Sequence, residues 1–93
     1  MSERPRGPHQ LLVYEYGPDA LERRRPHRPA HLALAEEYFA DGRLVVAGAV
    51  GDPPTGGLLA FRADVDVQAF VDADPFVSSG LVTSRRVERW TLV

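Results

Sequence analysis

The chain contains no cysteine, which removes disulfides, thiolate nucleophiles and zinc–thiolate centres together. A metal site would have to be built from histidine and carboxylate alone, and none is expected. Long hydrophobic runs are missing too, since no stretch approaches the roughly 20 apolar residues that cross a bilayer. The first ten residues carry basic side chains but no apolar stretch, so they do not read as a secretory signal. A cytoplasmic protein without a membrane segment is the expectation. No charge sign dominates: the formal net charge is -2, and the overall field gives no attraction toward nucleic acid. Nucleotide fingerprints, nucleophilic-serine motifs and metal-binding helix pairs are absent as well, and no cofactor is expected.

What is present describes one small globular domain. In 93 residues, 44% are hydrophobic and 26% charged, enough for a single modest core. The one basic cluster, Arg23-Arg24-Arg25 with Arg28 nearby, has no interleaved aromatics and reads as a solvated loop. His9 and His27 read as solvated.

Residues 1–10, rich in proline, glycine and charge, read as a flexible arm before a domain at 11–93. Leu11 to Tyr16 is a short apolar and aromatic run stopped by Gly17-Pro18, a strand signature. Asp19 is placed to cap a short turn through Glu22. The first long helix is expected from Pro29 to Ala40, with proline early, where its missing N–H does no harm, and Gly42 as terminator. Residues 43–50 are almost continuously apolar, a second strand expected to be buried on both faces. The glycine-rich loop 51–57 has no Lys-Ser/Thr and precedes a strand, so it is not a phosphate loop. Residues 58–62 form the third strand. Asp64 or Asp66 caps a second helix that buries Val67, Phe70 and Val71. Asp74-Pro75 opens a short turn, and residues 81–93 form the last strand.

This order, strand–helix–strand–strand–helix–strand, is the ferredoxin-like βαββαβ pattern: an α+β fold with two helices on one face of a four-stranded antiparallel sheet. The other face is left bare. Its apolar residues call for a cover, and a second copy of the chain, as a homodimer joined sheet to sheet, is the expected one.

His31 begins the apolar stripe of the first helix, followed at steps of three and four by Leu34, Ala35, Tyr38 and Phe39. It therefore faces inward, either as a hydrogen-bonded core imidazole or as an acid/base group, since histidine titrates near pH 6.5. Arg28, one turn earlier, is placed to bind a substrate carboxylate through its planar fork, or to serve as a plain surface arginine. The tyrosines and Trp90 read as core or interface residues.

The residues Arg28-Pro29-Ala30-His31-Leu32, Gly42-Arg43-Leu44 leading to Ala47-Gly48, and Ala73-Asp74-Pro75-Phe76 followed by Gly80-Leu81 resemble the YciI-like, or YCII-related, proteins of the dimeric α/β-barrel superfamily. The chain departs from that pattern at Ala49, where proline is common, and at Phe76, where tyrosine is common. The resemblance covers residues 11–93 and implies a ferredoxin-like fold that dimerises through its sheets. It also implies an active-site pair, His31 and Asp74, in a family that includes a dehydrochlorinase. Asp74 retains its structural role as a helix cap, and Asp72 competes with it as the partner of His31. The resulting expectation is a small-molecule enzyme moving a proton on a small organic acid or enol, as a lyase, dehydrochlorinase or hydrolase-like catalyst. The alternative is a non-catalytic dimer that binds a metabolite or serves regulation.

Overall fold

Four strands and one helical layer follow from the sequence pattern, and the computed structural model describes residues 3–93. The elements are β1 (Gly7–Tyr16), α1 (Ala20–Arg23), α2 (Arg28–Ala40), β2 (Leu44–Val50), β3 (Gly56–Arg62), α3 (Val67–Ala73), α4 (Pro75–Ser78) and β4 (Val82–Leu92). The sheet order is β2-β3-β1-β4 with every neighbouring pair antiparallel, which is the ferredoxin-like topology.

Alternation along the strands sorts the side chains. Leu12 and Tyr14 of β1, with Leu59 and Phe61 of β3, are buried against Ala35 and Tyr38 of α2 and Val67, Phe70 and Val71 of α3. Edge-on aromatic contacts lock this core, with Phe70 5.0 Å from Tyr38 and 5.2 Å from Phe61 between ring centres, a geometry that suits the ring quadrupoles. Asp66 caps α3 by accepting from the Ala69 amide at 3.2 Å. Of the two aspartates considered for that cap, it is the one nearer the helix that serves.

Several boundaries and environments differ from the sequence reading. β1 reaches back to Gly7, so residues 7–10, assigned to the arm, lie in the sheet; Met1 and Ser2 fall outside the described residues. The cause is the length of β4, whose far end pairs Gly7 with Leu92 and Pro8 with Thr91, beyond the end of the β3 ladder at His9. His9, read as solvated, is buried between Arg62 and Trp90, its cross-strand neighbours, and its Nδ1 lies 2.9 Å from the Gly7 carbonyl. β3 also starts earlier, taking Gly56 and Gly57 from the loop. A Cβ at Gly56 would collide with the Tyr14 carbonyl, so only glycine permits this approach of β3 to β1. Asp19 has a left-handed backbone and makes no side-chain cap to α1.

β2 lies at the sheet edge and is largely exposed in the single chain, against the two-sided burial its apolar run suggested. Val46, Val50 and Leu58 are exposed, and Trp90 is 39% exposed. They border an apolar groove that also includes Leu11 and Ala60. On α2, Phe39 is exposed at the core's margin, because the stripe that starts at His31 turns partly toward a cavity at the β2 edge.

Candidate functional site

The site is built where the start of α2 meets the start of α4 above β1. Pro29 lies in the first turn of α2, which places His31 one turn in. Asp74 caps α4, followed by Pro75. These locally encoded features bring two distant residues together: His31 Nδ1 lies 2.8 Å from Asp74 Oδ1.

Asp74 is 0% exposed, and its carboxylate has three partners. Oδ1 accepts from the Phe76 amide at 3.0 Å and faces His31, while Oδ2 accepts from the Tyr14 hydroxyl at 2.8 Å. Short, charge-assisted bonds of this kind offset the cost of burying a carboxylate. The cap and the histidine partnership therefore coexist in one side chain. Asp72, the competing candidate, points elsewhere: it is exposed and accepts from Gln68 Nε2 at 2.8 Å.

A carboxylate only accepts, so Nδ1 of the neutral imidazole is its donor and Nε2 is left with the lone pair. Phe76 stacks flat on the imidazole, 3.8 Å between centres at 2°, and fixes the ring plane. The His31 side chain remains 14% exposed, enough to reach a cavity of about 220 Å³ between α2 and the β2 edge. That volume lies below the few hundred cubic ångströms usual for drug-sized ligands, so it suits a small molecule.

The cavity's polar lining is Tyr16, Arg24, Arg28 and His31. Arg28 stands where the sequence placed it, beside His31. Arg24 was missed, because it was read with its neighbours as part of a solvated run. The structure separates that run. Arg25 pairs with Glu22 at 3.0 Å and Arg23 donates to the Pro18 and Gly80 carbonyls, whereas Arg24 and Arg28 have no carboxylate partner among the described residues. Among the described residues these two guanidiniums are left without a carboxylate beside an imidazole, a set of side chains with the charge and donors to meet an anion.

The tyrosines of β1 were also read only as core or interface. Burial, then the Asp74 charge, pushes the Tyr14 phenol above its ordinary range, and the same two causes raise Tyr16. Both stay protonated donors through neutral pH. A signal was available, since positions 14 and 16 alternate with Leu12 onto the helix side of the strand. Among the described residues no three His, Asp or Glu side chains gather as metal ligands would.

Comparison with known proteins agrees with this architecture. The chain is 36% identical over 74 residues to Protein YciI of Escherichia coli O6:H1, covering 68% of this chain and 76% of that protein. It is equally similar to Protein YciI of Shigella flexneri. Among solved structures it is similar to 5-chloro-2-hydroxyhydroquinone dehydrochlorinase (TftG) from Burkholderia phenoliruptrix AC1100, in complex with 2,5-dihydroxybenzoquinone. The TM-score is 0.75 at 31% identity, over 89% of this chain and 93% of that one. The YCII-related domain matches residues 10–91, nearly the whole fold described above, and this chain therefore belongs to the YCII-related family.

Proposed function

We propose that this chain is a small-molecule enzyme of the general acid–base type. His31 is the base or acid, Asp74 orients it, and Arg28 with Arg24 holds the acidic group of a small organic acid or enol. The observation that carries this reading is the 2.8 Å contact between His31 Nδ1 and a fully buried Asp74, which leaves Nε2 for a cavity lined by two arginines that have no carboxylate partner among the described residues. In a largely apolar cavity, an imidazole held by a carboxylate is suited to take a proton and return it. The likeness to a dehydrochlorinase solved with a hydroxylated quinone supports a small, planar, acidic ligand. 2,5-Dihydroxybenzoquinone is accordingly the probe for the site.

The test is calorimetric titration of the chain with that quinone at two salt concentrations. Arg28→Ala should bind it about tenfold more weakly and with a shallower salt dependence, in line with the loss of one charge-assisted contact. Unchanged affinity would remove Arg28 from the site.

The bare sheet face supports the second part of the proposal, a homodimer packed sheet to sheet. Val46, Val50, Leu58 and Trp90 expose apolar surface around one groove, a contiguous patch of the kind that marks an interface. Light scattering at micromolar concentration should return twice the 10.3 kDa chain mass. Val46→Asp, which places a charge on the lining of that groove, should shift the mass toward the monomer. A wild-type monomer would overturn the assembly.

A further inference from the structure

We propose that Tyr16 is a second catalytic residue, its hydroxyl donating to the carbonyl or enolate oxygen of the substrate while His31 acts on the adjacent carbon. This rests on the acid–base reading of the same cavity. Tyr16 and Tyr14 leave β1 on one side, yet their hydroxyls have different fates. That of Tyr14 is committed to Asp74 at 2.8 Å. That of Tyr16 makes no hydrogen bond among the described residues, although the residue lines the cavity with His31, Arg24 and Arg28. A phenol needed only for packing has no use for its oxygen at such a wall, whereas a ligand oxygen does.

The position of the hydroxyl is set from two sides. The Tyr16 ring meets Phe76 edge-on at 6.0 Å and 89°, and Phe76 lies flat on His31, so the phenol and the imidazole are held through one intervening ring. From below, the hydroxyl sits over Gly57: a Cβ there would come within 2.8 Å of the oxygen and 3.6 Å of Cζ. Glycine at this point of β3 leaves the space the hydroxyl occupies. Burial, followed by the Asp74 charge, raises the Tyr16 phenol, so it serves as a donor rather than as a phenolate.

The step balances as a proton transfer. His31 Nε2 takes the proton from carbon adjacent to a carbonyl, and the C–H electron pair becomes the carbon–carbon double bond. The carbonyl π pair moves onto oxygen, where the Tyr16 hydroxyl meets the new negative charge and keeps its own proton. The substrate class follows: a small oxo acid with a saturated C–H beside its carbonyl, its acidic oxygen on Arg24 and Arg28 and its carbonyl oxygen on Tyr16; the planar, acidic hydroxyquinone serves as a mimic of the enolate formed, not as a substrate of the step.

The experiment titrates 2,5-dihydroxybenzoquinone into wild type, Tyr16→Phe, Gly57→Ala and Arg28→Ala, with thermal melts of each. Tyr16→Phe removes one oxygen and should keep the melting temperature while weakening binding about tenfold. Gly57→Ala keeps the phenol but displaces its hydroxyl, so it should weaken binding similarly; it decides the matter if Tyr16→Phe melts early. Equal affinity of wild type and Tyr16→Phe beside a weakened Arg28→Ala overturns the role of Tyr16 alone. Equal affinity of Tyr16→Phe and Arg28→Ala with wild type overturns the anion-site reading as well. A wild type that fails to bind at low-millimolar quinone overturns the substrate class and this proposal with it.

Discussion

His31→Ala should lower turnover by about 10²–10⁴-fold, the usual contribution of a positioned acid/base group, while the protein still folds. The small stability cost follows from the geometry. Asp74 keeps two of its three partners, the Phe76 amide and the Tyr14 hydroxyl, and the imidazole is not fully enclosed. Initial rates on small enolisable acids and hydroxylated rings, compared at matched concentration, measure the effect. Added imidazole should restore part of the rate in His31→Ala, because the variant opens space beside the cavity and leaves the carboxylate in place. Full activity in the variant would end the catalytic assignment. Binding of the quinone without turnover of any acid, in wild type as in the variant, would favour the metabolite-binding alternative.

Asp74→Ala should have the largest effect on stability, about 2–4 kcal/mol by urea denaturation, as expected when a helix cap is lost and a buried hydroxyl is orphaned together. Three losses coincide. α4 loses its cap, normally about 1 kcal/mol. The buried Tyr14 hydroxyl loses its acceptor, about 1–3 kcal/mol, and His31 loses its orienting group. Against a typical domain stability of about 5–15 kcal/mol, that is a large fraction. Asp74→Asn separates the structural role from the catalytic one. With its carbonyl oxygen on the Tyr14 side, the amide still accepts from that buried hydroxyl, so it should recover part of the stability. An amide nitrogen facing His31 would donate instead of accept, favouring the tautomer with the proton on Nε2, and activity should remain low. An Asp74→Asn protein with full activity would leave Asp74 as a cap and nothing more.

Both His31 and Asp74 stand out in the sequence by itself. The inward direction of His31 follows from the spacing of Ala35 and Tyr38 on one helix, and both are buried in the fold. Asp74 as a cap follows from Asp-Pro at a helix start. Each is a local property, set by helical periodicity or by one turn of backbone. The roles of Tyr14, Tyr16 and Arg24 were not legible in the same way. A tyrosine in a strand has the same pattern whether its hydroxyl meets a carboxylate, a cavity or water. An arginine among arginines gives no sign of which guanidinium a neighbouring glutamate neutralises. His9 was misplaced for a related reason: proline and glycine around it are poor strand formers, yet a long β4 offers them partners and the sheet encloses the ring.

From its sequence, this chain has an element order that admits the ferredoxin-like sheet, an inward histidine at the start of α2 and a capping aspartate before α4. The tertiary structure decided which carboxylate meets that histidine, which arginines have no carboxylate partner among the described residues and where the two tyrosine hydroxyls end. His31 and Asp74 lie 43 residues apart, and Tyr14 and Asp74 lie 60 apart. Contacts over such separations arise from strand order and helix docking, through burial summed over the whole core, and no local propensity records them.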